Sequence, residues 1–145
     1  MSLNGKCIPD SATEFALVSR LTRHLMRCGY RVRKEIPNMG QSVDVVATRN
    51  RWVTFIEVKR HDWRKAIEQC RAHEQVADFI CIAIGSVSIS STLLAEVKKA
   101  GYGLIHCPSK KRVCKWIVRP RQNRRIWRPQ REFLLRVLRR VNDDD

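Results

Sequence analysis

Two apolar runs, SVDVVAT (42–48) and WVTFIEVK (52–59), stand three residues apart and constrain the fold more than any other stretch of the chain. Both are rich in β-branched and aromatic residues, so both predict strands. Only Arg49, Asn50 and Arg51 join them, and a link that short closes an antiparallel hairpin rather than a parallel crossover. Asn50 tolerates the backbone conformation such a turn demands. Yet three ionisable side chains, Asp44, Glu57 and Lys59, lie inside the runs. An unpaired buried ion is very costly, so their presence in strands that bury a face needs a cause.

The flanking sequence supplies the elements that would cover such a hairpin. Ser11 with Glu14 three residues on spells a capping box, and Gly29 is a stop signal, so a first helix is expected from Ala12 to about Cys28. Phe15, Leu17, Val18, Leu21 and Leu25 form its apolar stripe. YRVRKEIP (30–37) reads as a strand and NMGQ as a loop. After the hairpin, Asp62 is a plausible N-cap for a second helix from about Trp63 to Val76, with Trp63, Ala66, Ile67, Cys70 and Ala77 at helical spacing. DFICIAIG (78–85) is a continuous apolar run, typical of a strand covered on both faces. SSTLLAEVKKAG (90–101) predicts a third helix, YGLIHC (102–107) a buried strand and RVCKWIVR (112–119) a last strand.

Short links early in the chain imply an antiparallel meander, and strands separated by helices imply parallel crossovers. The fold class is therefore α/β, with a mixed sheet flanked by helices over residues 1–119. A basic extension follows over 120–145, helical near 130–141 around Phe133, Leu134, Val137 and Leu138. From Lys110 to Arg140 there are 13 basic residues and one acid, Glu132, before the acidic end Asp143–Asp145.

The formal net charge of +15 suggests a polyanionic partner. Nucleic acid stands ahead of an anionic membrane surface, because no basic amphipathic anchor opens the chain. No apolar stretch approaches the length of a membrane span, and MSLNGKCIPD lacks a signal core, so a cytoplasmic location is expected. None of the six cysteines forms a C-x-x-C pair. Cys28, Cys70, Cys81 and Cys107 sit in apolar patterns and are expected as reduced core thiols. A zinc or iron–sulfur centre would need closer clustering, so no iron–sulfur cluster is expected.

Side chains alternate along a strand, so Glu57 and Lys59 share a face, about 6–7 Å apart, with Val53 and Phe55. If the hairpin closes around Asn50, Asp44 lies on the neighbouring strand at the same end. Two carboxylates can then hold Mg²⁺ or Mn²⁺, with the carbonyl of Val58 as a further oxygen ligand. The cation would polarise a phosphoryl group and lower the pKa of a bound water. The lysine would stabilise hydroxide or transition-state charge, or take a proton. The competing interpretation is a solvated hairpin face with a Glu–Lys pair.

Asp44, twelve residues, then Glu57-Val58-Lys59 resembles the core motif of the PD-(D/E)xK nuclease superfamily. The resemblance implies the restriction-endonuclease-like fold, an αβββαβ core with the motif on its second and third strands. The expected element order matches from about Ala12 to Ile84, roughly half the chain. The proline of the "PD" is absent, since Val43 precedes Asp44. Many nucleases of this superfamily, including archaeal Holliday-junction resolvases, carry a glutamate on the first helix. That assigns Glu14 to the site as a catalytic residue and a further metal ligand, beside its capping role. RecB-type members place a glutamine on the helix after the lysine strand, followed four residues on by a tyrosine. Gln69 matches the glutamine and His73 replaces the tyrosine.

Lys34, Arg49, Arg51, Arg60 and Arg64 are expected around the site as phosphate contacts, with His73 a weaker candidate for a contact to DNA. In the tail, Trp127 among Arg124, Arg125 and Arg128 either stacks on a base or anchors the tail on the core. The function this implies is a metal-dependent DNA endonuclease, structure-selective for junctions or flaps or else site-specific. It would act as a homodimer, since two strands need two active sites. A RecB-type exonuclease and a non-catalytic DNA-binding protein on the same fold are the alternatives.

Overall fold

The computed structural model describes residues 10–38, 40–108 and 113–143. Cys7, the side chain of the expected cap Ser11 and the side chains of the acidic end Asp143–Asp145 lie outside the described residues. Helix α1 spans Asp10–Arg27. Leu17, Leu21 and Leu25 bury completely, whereas Phe15 is 70% exposed. Phe15 therefore leaves the expected stripe, because it lies two residues, about 200°, around the helix from Leu17.

Strands β1 (Arg31–Asn38), β2 (Gln41–Arg49) and β3 (Trp52–Lys59) form an antiparallel meander. Asn50 turns the second hairpin with φ 58°. Helix α2 spans Trp63–Arg71, and the Asp62 carboxylate accepts from the Lys65 N–H at its start. It stops short of the expected Val76. Past Arg71 the N–H groups of Ala72, His73, Glu74 and Val76 reach back three residues, to Gln69, Cys70, Arg71 and His73, and that tighter winding rarely propagates.

Strand β4 (Phe79–Ile84) pairs parallel to β3, and β5 (Gly103–His106) parallel to β4. Helix α3 (Ser91–Ala100) joins them, capped by Ser90 and ended by Gly101 at φ 81°. A side chain would be strained at that φ, so glycine fits this stop. Strand β6 (Lys115–Val118) returns antiparallel to β5, and helix α4 spans Arg128–Asp143. The result is an α/β fold with one six-stranded mixed sheet in the order β1-β2-β3-β4-β5-β6.

Each face of the sheet has its own core. On one face Leu17, Leu21 and Leu25 of α1 cover Val45, Ala47, Ile56, Val58 and Ala83. On the other, Ala66, Ile67 and Cys70 of α2, Val97 of α3, and Leu134 and Leu138 of α4 cover Phe55, Ile80, Ile82 and Leu104. The apolar run of β4 thus divides between two cores. The basic C-terminal segment contributes to the second, and Arg131 ties it down by reaching Asp78 at 2.7 Å.

The thiol expectation holds for Cys70 and Cys81, which are buried and free. It fails for Cys28, which is exposed, and for Cys107. The antiparallel return of β6 brings Cys114 beside Cys107, and the two form a disulfide with Cα atoms 4.3 Å apart.

Candidate metal centre

Strands β2 and β3 pair from Arg49 opposite Trp52 to Val45 opposite Ile56, and no further. At the next level Asp44 substitutes for the ladder: its Oδ2 accepts from the Val58 N–H at 2.8 Å. The strands part here because β2 rolls over. Val43 and Val46 pack with α2, while Val45 and Ala47 pack with α1, which strict alternation forbids. Strand β1 rolls at the same level, between Val32 on the α1 side and Ile36 on the other. The residue between them, Glu35, has φ 52°. A non-glycine residue held there costs about 1–3 kcal/mol, and such strain collects at functional sites.

A residue's N–H and C=O leave a strand on the same edge. The Val58 N–H points at Asp44, so its carbonyl faces the same gap. Glu57 is 1% exposed. Its Oε1 accepts from His73 Nε2 at 2.7 Å, and its Oε2 is buried with no hydrogen-bond partner. Lys59 lies at the strand end, where its Nζ is 4.0 Å from Glu14 Oε1. Helix α1 covers the opposite face from Glu57, so Glu14 and Lys59 meet around the end of the sheet.

The electrostatics follow from burial. Desolvation, then the hydrogen bond to Glu57 and its charge, push the Asp44 carboxyl up to about 7, against the Val58 N–H and Lys59. Burial also raises Glu57, opposed by its contact with Asp44 and by Lys59. The two carboxyls are within hydrogen-bonding reach, so near neutrality the pair retains a proton that a cation would displace. Burial lowers His73 to about 4. The imidazole is therefore neutral at pH 7, and its contact with Glu57 is a hydrogen bond to a carboxylate rather than an ion pair.

Among the described residues no three His, Cys, Asp or Glu side chains converge as a metal site. The oxygen donors that do converge are Asp44, Glu57 Oε2 and the Val58 carbonyl. Gln69, on α2, has a buried amide oxygen without a partner; burial, then the charges of Glu57 and Asp44 among others, raise the thiol of the next residue, Cys70. Leaving such oxygens unpaired is expensive in a fold with no further use for them. A hard cation that keeps part of its water shell fits two carboxylates with neutral oxygens around them.

The expected basic residues do not all gather here. Lys34 is exposed, paired with Val45 one level from Asp44. Arg60 follows Lys59, and Arg64 stacks on Trp63 in the first turn of α2, 4.2 Å from the ring. Arg49 and Arg51 do not surround the site. They flank the β2–β3 turn at the opposite end of the strands, roughly 17–20 Å away by strand rise. Arg49 instead stacks on Tyr30 and donates to the Cys28 carbonyl. Arg124, Arg125, Trp127 and Arg128 lie toward that same end, where Asn123 N–H bonds Asp78 and Trp127 N–H bonds Gln75. Trp127 is 51% exposed, so it is not the core anchor considered above. Arg125 lies 3.8 Å from Glu74.

His73 is fully buried and touches no solvent, so it is no contact for DNA; it is part of the site. The signal was present, since position 73 continues the stripe of Ala66, Ile67 and Cys70 that faces β3. Asn38 lies outside the loop expected over NMGQ: it ends β1, and its amide nitrogen meets His73 Nδ1 at 2.9 Å.

No family model matches the sequence, and no curated protein matches it. Solved structures do resemble the fold. A protein of unknown function from Silicibacter pomeroyi superposes with a TM-score of 0.65 at 18% identity, covering 88% of this chain and 84% of its own. A second protein of unknown function gives 0.52 at 19% identity, over 66% of this chain and 61% of its own. An XisH family protein from Nostoc punctiforme gives 0.50 at 12% identity, over 70% of this chain and 98% of its own. At these identities the likeness concerns the fold alone.

Proposed function

We propose that this protein is a metal-dependent DNA endonuclease with a restriction-endonuclease-like core, hydrolysing phosphodiester bonds with Mg²⁺ or Mn²⁺. The observation that carries the proposal is the pair Asp44 and Glu57. Burial raises both carboxyls, the neighbouring Glu57 raises Asp44 further, and Glu57 Oε2 is buried with no hydrogen-bond partner. The order of elements and the Glu57-Val58-Lys59 motif support the same class. Exposed arginines and the net charge of +15 support a nucleic-acid substrate.

In this mechanism Asp44, Glu57 and the Val58 carbonyl, rather than Glu14, which meets Lys59, would hold the cation. When bound, it supplies Lewis acidity toward the phosphoryl oxygen and a water of lowered pKa. Lys59 faces the scissile phosphate and neutralises charge that develops there. Glu14 sets the lysine's position from α1. Gln69 lends its amide oxygen to the water shell. Lys34, Arg60 and Arg64 hold the flanking phosphates. A homodimer places two such sites on two strands. A RecB-type exonuclease is the second reading, favoured by the unpaired Gln69 oxygen on α2.

The test is a cleavage panel with Mg²⁺ or Mn²⁺: supercoiled plasmid, linear duplex, single strand, flap and four-way junction, with Asp44→Ala and Lys59→Ala alongside. Nicking of the closed circle is expected; Asp44→Ala should abolish it and Lys59→Ala should slow it about 10²–10³-fold. No cutting by the wild type sinks the enzyme. Cutting only from ends makes it an exonuclease, and cutting that survives both substitutions refutes the site.

A further inference from the structure

Glu57 is gripped from behind by a buried chain of side chains that runs to the C-terminal helix. Oε1 of Glu57 meets Nε2 of His73 at 2.7 Å. Nδ1 of His73 meets Nδ2 of Asn38 at 2.9 Å. Oδ1 of Asn38 meets Nε2 of Gln130 at 3.1 Å. These four residues come from β3, the turns after α2, the end of β1, and α4.

The proton positions follow from one end. An ionised carboxylate only accepts, so His73 must donate from Nε2. Asn38 presents its amide nitrogen, which only donates, to Nδ1 at 2.9 Å, so Nδ1 accepts. That leaves Asn38 Oδ1 to accept from Gln130. Every donor in the chain therefore points toward Glu57, with no ambiguous member. Phe55 packs edge-on to the His73 ring, with centroids 5.1 Å apart, which restricts its rotation. Histidine, asparagine and carboxylate are all nearly or fully buried, so water does not compete for these bonds.

We infer that His73 is a positioning residue for the cation-holding carboxylate, and that Asn38 and Gln130 extend its support into α4. This rests on the function proposed above. With Oε1 engaged by His73, Oε2 is the buried oxygen left without a hydrogen-bond partner. Outer partners of this kind orient a ligand before the metal arrives. Helix α4 is thus part of the support of the site and not only a basic appendage.

The experiment is calorimetric titration of the full-length protein with Mn²⁺ in the absence of DNA, with melting temperatures recorded in parallel. The chains are wild type, Glu57→Gln, His73→Leu, His73→Gln and Gln130→Ala. His73→Leu should weaken Mn²⁺ binding about 10–100-fold, the usual loss for an outer partner. His73→Gln should recover most of that, because its side-chain amide nitrogen can donate where Nε2 did. Gln130→Ala, remote and half-buried, should weaken binding by a smaller factor without lowering the melting temperature in proportion. If His73→Leu does not fold, His73→Gln and Gln130→Ala decide the matter. Wild-type affinity in folded His73→Leu, or in Gln130→Ala where His73→Leu does not fold, overturns the inference alone. A wild type that binds no Mn²⁺, or a Glu57→Gln chain that binds it unchanged, overturns the functional proposal and this inference with it.

Discussion

Asp44→Asn should abolish the site while stabilising the metal-free protein. Asp44 is held at about 7 against an ordinary value of 3.8. Each tenfold step in proton affinity is about 1.4 kcal/mol, which sets a ceiling of about 4 kcal/mol for the strain of the ionised carboxylate at alkaline pH. The group is only partly buried, and solvent screening reduces this to about 1–2 kcal/mol. Asparagine keeps an oxygen to accept from the Val58 N–H, so the backbone bond survives. The sign is set by proton uptake. Between pH 4 and pH 7 the folded wild type retains a proton at Asp44 that the unfolded chain has released, so stability falls as pH rises through that window. His73 opposes it: lowered to about 4 from 6.5, it makes stability rise over pH 4 to 6.5. Both chains carry His73, so the difference between them isolates the carboxyl pair. Thermal melts in chelator should therefore show no advantage for Asp44→Asn near pH 3.5. The advantage should grow to about 3–6 °C by pH 8. Saturating Mn²⁺ should raise the melting temperature of the wild type and leave the variant where it is. A variant that is less stable than wild type at pH 8, or equally advantaged at both ends of the range, refutes the account of strain at Asp44.

Other expectations are direct. Lys59→Ala should keep the fold and reduce cleavage about 10²–10³-fold, the scale for losing one transition-state donor, as single-turnover rates would show. Glu35→Gly should raise stability by about 1 kcal/mol in denaturant titrations, since glycine accepts the positive φ that Glu35 holds. Arg131→Ala removes the cation 2.7 Å from Asp78 Oδ2 and leaves that carboxylate only the Val53 N–H, which should cost about 1–3 kcal/mol by the same measurement. Exchanging Arg136, Arg139 and Arg140, all exposed on α4, for glutamine should flatten the dependence of DNA binding on salt if these contact phosphates. An unchanged slope places the phosphate contacts elsewhere.

The sequence made the hairpin legible because its signals were local: two apolar runs, a three-residue link and Asn50 at the turn. The same parity put Glu57 and Lys59 on one face, which the packing of Val53 and Phe55 upholds. It could not foresee the roll at Glu35 and Asp44, because nothing in the composition of either strand marks a change of face. The roll arises only where two strands meet. Distance along the chain hid the rest. Cys114 lies seven residues from Cys107, but a bond between them needs β6 to return along β5. Asn38 and Gln130 are 92 residues apart, and neither carries a charge that would draw the eye. The expectation for Arg49 and Arg51 fails for the opposite reason: they are near Asp44 in sequence but not in space, because a strand carries a residue away by about 3.3 Å each step.

Parting β2 from β3 explains how the sheet accommodates three ionisable residues. A continuous ladder would have tied the Val58 carbonyl to β2 and pressed Asp44 into one core. Once pairing stops, the Asp44 carboxylate takes up the Val58 N–H that the ladder would have used, and no backbone donor is stranded there. Val43 still buries, on the α2 side, so the roll loses no apolar surface at that position. The cost is confined to one positive φ at Glu35 and to raised carboxyls at Asp44 and Glu57. Two helices reach these residues from outside the sheet: Glu14 of α1 meets Lys59 and, through Asn38 and His73, Gln130 of α4 connects to Glu57. It follows that removing residues 120–145 is the wrong way to ask whether the basic tail binds DNA. That deletion would strip Leu134 and Leu138 from the core and Gln130 from the support of Glu57, and binding and metal affinity would fall together. Neutralising exposed arginines leaves both supports in place, so only that substitution separates phosphate contact from the integrity of the site.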